Sequence, residues 1–104
     1  AELIIDLSKL QHNLKVIQAL CARHRLDLVA VAKGCNGVLP VIKVFQKCGV
    51  SNVGFSRLAD AIKAAPVLAR RPCFISIPSP KQTETIVRQF GSSLHSELLT
   101  IQAA

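Results

Sequence analysis

The sequence predicts an α/β fold with a parallel sheet, a partial (β/α)8 barrel comprising about the first four βα units, preceded by a short strand and a helix. Three observations carry this. Short apolar runs alternate with segments of helical periodicity along the chain, the pattern of strands joined by crossover helices. The run LVAVA at residues 28–32 has no polar face, as expected for a strand in a parallel sheet covered on both sides. The strand-to-strand repeat is about 22 residues, short for a dinucleotide-binding unit and ordinary for a barrel, whose full circuit takes roughly 250 residues. The 104 residues are therefore read as one unit, the N-terminal half of a barrel domain over residues 1–104, with enough chain for a core.

The elements follow in order. Leu3-Ile4-Ile5 is a short apolar strand. Asp6 and Ser8 can cap a helix whose stripe is Leu10, Leu14, Ile17, Leu20, Cys21 and His24, at three- and four-residue spacing. Leu28 to Ala32 is the first buried strand, and a Gly34–Gly37 loop follows it. Val38 to Lys47 is a helix that tolerates Pro40 in its first turn, and Gly49 ends it. Asn52 to Phe55 is the next strand, after which Ser56 can cap a helix over Arg57–Ala65 that Pro66 ends. Cys73 to Ile77 is a strand closed by Pro78-Ser79-Pro80, and Lys81 to Gln89 is helical. Ser92 to His95 is a weak last strand, and Ser96 caps a helix running to Ala104. An incomplete barrel leaves two strand edges open. It also exposes an inner face, to which Val29, Val31, Val53, Phe55 and Ile75 or their neighbours are assigned, so the chain is expected to form a homo-oligomer or to associate with the other half of a barrel.

Composition narrows the classes. Half of the residues are hydrophobic, which argues against disorder. Every apolar run is broken well short of the ~20 residues a membrane helix needs, and the N-terminus shows no secretory pattern. Thirteen Lys and Arg against six Asp and Glu give a net charge of +7, but the cations are scattered and no aromatic-studded basic strand accompanies them, so neither nucleic acid nor a membrane is expected as a partner. Cys21, Cys35, Cys48 and Cys73 form no C-x-x-C pair. They are read as free thiols of a cytoplasmic protein, and no metal site is expected.

The chemistry centres on Lys33. It closes an apolar strand and is followed at once by a Gly/Asn loop. Side chains at the C-terminal ends of parallel strands face the functional side of α/β folds. Partial desolvation there favours the free amine, which suits Schiff-base chemistry with a carbonyl compound. The alternative is a lysine that reaches out into water from a strand end. Gly34 and Gly37 leave room for backbone N–H groups to approach an anion, or simply make a turn.

Four stretches, IIDLSKLQHNLKVIQ, VAKGCNG, GVSNVGFSRLADAIKA and SSLHSELLTIQA, in this order and spacing, resemble the N-terminal barrel of the alanine racemase-like family, the fold type III pyridoxal phosphate enzymes. The ornithine racemase-like branch is the most similar. The resemblance implies that Lys33 carries pyridoxal 5'-phosphate as an internal aldimine and acts as an acid/base at the Cα of an amino acid substrate, making the protein a racemase (an isomerase). It implies cofactor-binding places for Arg57, in Phe55-Ser56-Arg57 where the branch has Asp-Ser-Arg, and for His95, in His95-Ser96-Glu97 where it has Asn-Ser-Glu. Ser76 stands where a third-strand arginine is expected, and Asn36-Gly37 where alanine racemases place a tyrosine. In alanine racemases a tyrosine from a later domain works on the opposite face of Cα, and this chain contains none, so alone it is expected to be inactive. The competing readings are a non-catalytic pyridoxal phosphate-binding protein of the same fold and a basic structural or nucleic-acid-interacting α/β domain.

Overall fold

A computed structural model describes residues 1–104. Four strands, β1 (Val29–Val31), β2 (Asn52–Phe55), β3 (Cys73–Phe74) and β4 (Ser92–Ser93), lie parallel in the order β1-β2-β3-β4. The helices are α1 (Leu7–Arg23), α2 (Leu39–Lys47), α3 (Leu58–Ala64), α4 (Pro80–Gln89) and α5 (Leu98–Ala103). Each strand after the first is reached through a helix, so adjacent strands pair in parallel as the alternation predicts.

Local chemistry explains the helix ends. The Asp6 carboxylate accepts a hydrogen bond from the Lys9 N–H at 3.1 Å and starts α1. Pro40 sits in the first turn of α2, where a missing N–H costs nothing, and Gly49 follows the helix at φ +79°. Ser79 precedes α4, and its N–H donates to Gln82 Oε1 at 3.3 Å. The last helix departs from expectation. Glu97 occupies the cap position of α5 without a side-chain bond, and Ser96 lies outside the helix. Thr100, fully buried, donates its hydroxyl to the Glu97 carbonyl at 2.9 Å.

The first helix is rotated from the expected stripe. Leu14 is buried and Leu10 and Cys21 are half-buried, whereas Ile17 and Leu20 are 47% and 51% exposed and His24 is exposed. Gln11 and Gln18 take the places beside Leu14 on the inner face, and Gln18 Nε2 donates to the Cys48 carbonyl at 2.8 Å, tying α1 to the end of α2.

The register sorts the strand residues into two faces. Ala30 aligns with Val53, and Phe55 with Phe74. These four and Ala32 are buried beneath the helices with Ile42, Phe45, Ile86 and Phe90. Phe74 and Phe90 meet edge to face, their centroids 5.1 Å apart. Val29, Val31 and Gly54 alternate onto the other face, where Val29 and Val31 are 40% and 44% exposed. Val53 and Phe55, assigned to the open inner face from sequence, therefore belong to the helix-covered core, at 2% and 1% exposure. Period-two alternation decides this, and the sequence showed a continuous apolar run without its phase.

Two further boundaries differ. Leu3-Ile4-Ile5 forms no strand, and Leu3 and Ile4 are about four-fifths exposed. β1 is an edge strand with no neighbour on that side, and an extended segment becomes a strand only by pairing its N–H and C=O groups. The third and fourth strands are also shorter than predicted. The β2–β3 ladder continues one residue further, with the Ile75 N–H donating to the Phe55 carbonyl at 3.0 Å, before Pro78 and Pro80 remove donors.

Candidate functional site

Lys33 is the first residue beyond the ladder of β1. The Ala32 N–H still donates to the Gly54 carbonyl at 2.9 Å, and a single turn of 3-10 helix, Lys33–Cys35, begins directly after. The Ala32 carbonyl then collects three donors, Cys35 N–H at 3.4 Å, Gly37 N–H at 2.9 Å and Cys35 Sγ at 3.4 Å. Ala32 is fully buried, so the backbone that launches Lys33 is held from both sides. The Lys33 side chain is exposed, and the one ion pair of the chain is Glu84–Arg88 on α4. The desolvation expected of Lys33 is thus not supplied by this chain. The side chain stands at the C-terminal edge of the sheet, where a lysine at the end of a parallel strand was predicted to stand.

The turn needs its second glycine. Asn36 is left-handed at φ 54° and Gly37 at φ +62°. A Cβ on Gly37 would lie 3.1 Å from the Asp60 Cβ and 3.4 Å from Phe55 Cε1. Asp60, in the first turn of α3, therefore packs on the Lys33 loop, a contact the sequence reading missed because nothing local marks it. Gly37→Ala meets both strain and crowding and is expected to destabilise the fold by about 1–3 kcal/mol. Urea denaturation checks this, and a midpoint equal to wild type would refute the tight approach.

Arg57 directly follows Ser56 at the end of β2 and takes the cap position of α3, so Ser56 does not cap that helix. It is exposed and lines a cleft of about 520 Å³ between α3 and α4, with Ser56, Ser76, Gln82, Ile62 and Phe74 among its walls. Lys33 is not part of that lining. His95 lies two residues past β4. Its Nε2 is 2.8 Å from Ser93 Oγ, and its Nδ1 is buried without a partner. Ser93 aligns with Phe74, on the helix-covered side of the sheet. Lys33, Arg57 and His95 thus share one edge of the sheet, beyond the C-terminal ends of three different strands, but do not share one pocket.

The surroundings of Lys33 are open, and none of the clefts includes it. The amine is unpaired and exposed, and a Cβ on the adjacent Gly34 would meet nothing within 4 Å. No group of three His, Cys, Asp or Glu is placed to hold a metal, all four cysteines are free, and no helix is long and apolar enough to cross a membrane.

Comparison with known proteins adds one finding. The sequence model of the family described as alanine racemase, N-terminal domain, matches residues 5–100. Searches of curated proteins and of solved structures return no match. The matched stretch includes Lys33, Arg57 and His95 and every strand of the sheet. The chain belongs to the alanine racemase N-terminal domain family, a family of pyridoxal phosphate-dependent, fold type III proteins.

Proposed function

We propose that the protein is a pyridoxal phosphate-dependent amino acid racemase of the alanine and ornithine racemase type, with residues 1–104 as the N-terminal half of its barrel. The observation that carries the reading is Lys33: an unpaired, exposed amine one residue beyond the β1 ladder, in a chain of this family. The cofactor, when bound, supplies the electron sink for the charge left on the substrate Cα. The chain supplies the rest. Lys33 holds the cofactor covalently, and its freed amine exchanges a proton on one face of Cα. The buried Ala32 carbonyl and its three donors fix where that amine starts. Arg57, at the end of the neighbouring strand, is the charge beside cofactor or substrate. His95 belongs to the same edge, its ring tied to Ser93.

One observation favours a second reading. The chain has no tyrosine, so the opposite face of Cα has no phenol of this chain to serve it, and a relative that holds the cofactor without racemising amino acids fits equally. The test is to load the full-length protein with pyridoxal phosphate, reduce with borohydride, map the labelled lysine and assay racemisation of D- and L-amino acids. A label on Lys33 with turnover supports the racemase. A label without turnover supports the second reading, and a label on another lysine overturns both.

Association belongs to the same proposal. β1 and β4 are open edges, and Val29 and Val31 present an apolar face. The 104-residue chain is expected to sediment as a dimer or larger species as its concentration rises. A monomer at every concentration would count against this. Four free cysteines suit a reducing, cytoplasmic setting.

A further inference from the structure

We infer that the notch at the N-terminal end of the sheet, between the α3–β3 connection and the end of α4, binds a phosphate dianion through Arg70 and Arg71. Lys33 stands at the opposite end of the strands. The site is therefore separate from any cofactor held at Lys33 and does not depend on the racemase reading.

The backbone that carries the two arginines is pinned at both ends. Arg70 and Arg71 lie between α3 and β3. Just before them, the Ala69 N–H donates to Gln46 Oε1 at 2.7 Å, and just after them the Pro72 carbonyl accepts from the Gly91 N–H at 2.9 Å. Gln46 is itself tied down, its Nε2 donating to the Val50 carbonyl at 3.1 Å. A Cβ on Gly91 would lie 3.2 Å from the Arg71 carbonyl oxygen, so the chain leading into β4 packs directly on this segment. The connections into β2, β3 and β4 thus hold the arginine pair between them, which lowers the ordering cost of binding.

The polar groups decide the ligand. The notch has a volume of about 240 Å³, and its polar lining is Arg70, Arg71 and Gln89, with no acidic residue. None of the three takes part in a side-chain hydrogen bond or ion pair. The N–H groups of Arg70 and Arg71 also enter no backbone hydrogen bond. Glu84 of α4 is already paired with Arg88. The C-terminal ends of α3 and α4 work against an anion here, each with about half a unit of negative charge. Two guanidiniums outweigh them. A carboxylate occupies one guanidinium fork and leaves the second unmatched, whereas a phosphate dianion has the charge and the oxygens to engage both. Ala65, Leu68 and Ala69 form an apolar wall that strengthens the attraction by keeping water from one side. The space suits inorganic phosphate or the phosphate end of a small monoester.

The test titrates the full-length protein with inorganic phosphate, with glycerol 2-phosphate and with acetate, following amide NMR shifts. Sodium chloride holds the ionic strength constant, at about pH 8, where the phosphates are dianions. Saturable shifts of residues 69–73 and 89–91 are expected for both phosphates, at roughly millimolar Kd. Tighter binding of inorganic phosphate identifies the free anion as the source, and tighter binding of glycerol 2-phosphate a phosphomonoester. Acetate is expected to bind about tenfold more weakly. Arg70→Gln and Arg71→Gln should each weaken phosphate about tenfold, while Lys63→Gln, a cation outside the lining, should stay within about twofold. Arg70 and Arg71 are exposed and bond nothing through their side chains, so these variants retain the fold, which circular dichroism verifies. Equal affinity for acetate and phosphate, wild-type affinity in both arginine variants, shifts confined to other residues, or absence of saturation would each overturn the inference.

Discussion

Lys33→Ala is expected to abolish covalent cofactor incorporation while leaving the fold intact. The side chain of Lys33 is exposed and makes no hydrogen bond or ion pair within the chain. Its loss therefore changes stability by no more than about 0.5 kcal/mol, the usual range for a surface substitution. In the proposed function the covalent link has no substitute. The other lysines, Lys9, Lys15, Lys43, Lys47, Lys63 and Lys81, lie on the α-helices, and none follows directly on a strand of the sheet. Borohydride-fixed label should drop to background in Lys33→Ala, and racemase turnover in the full-length protein should fall by several orders of magnitude, since in the proposed function one group both anchors the cofactor and moves the proton. Lys33→Arg should fail equally, because an arginine keeps the charge and cannot lose its proton to act as the nucleophile. Label retained at wild-type level in Lys33→Ala would sink the assignment.

Phe55→Ala is expected to have the largest effect on stability. Phe55 is 1% exposed and lies on β2, with a paired strand on either side. Its neighbour in register is Phe74, and its Cε1 stands 3.4 Å from where a Gly37 Cβ would be. Truncation removes the ring from the middle of the core and opens a cavity beside the Lys33 loop. Large-to-small changes of this kind cost about 3–5 kcal/mol. A domain of this length has a total stability of about 5–15 kcal/mol, so much of it is lost. Urea denaturation followed by circular dichroism reads the effect directly. A midpoint shifted by less than the equivalent of about 1 kcal/mol would contradict the packing described here. The two variants also separate fold from chemistry. Phe55→Ala should lower cofactor capture in proportion to the unfolded fraction, whereas Lys33→Ala should remove it from a fully folded protein.

Much of this protein was decided by local sequence. Alternation of short apolar runs with helical periodicity identified a parallel α/β sheet, because strands that pair in parallel must be separated by crossovers. Asp6, Pro40 and Gly49 marked helix ends through effects reaching only a few residues along the chain, whereas the cap at Ser79, read as the close of the third strand, emerged only in the structure. Lys33 was legible for the same reason: a polar residue closing a buried strand before a glycine loop is a local pattern, and the structure places it one residue past the β1 ladder.

What the sequence could not decide depends on the phase and partners of each element. Val53 and Phe55 went to the helix-covered face and Val29 and Val31 to the open one, because only the pairing register sets which alternate residue turns inward. Leu3-Ile4-Ile5 has the composition of a strand but none of its backbone partners, and pairing, not propensity, makes a strand. α1 turned Leu14 inward and Ile17 and Leu20 outward, a rotation fixed by packing against α2. The site divides the same way. The place of Lys33 came from its own neighbours in the chain, while the contact of Asp60 with Gly37 and the cleft around Arg57 join residues from separate βα units. Those groups meet only when strands align side by side, and that alignment is a property of the folded sheet.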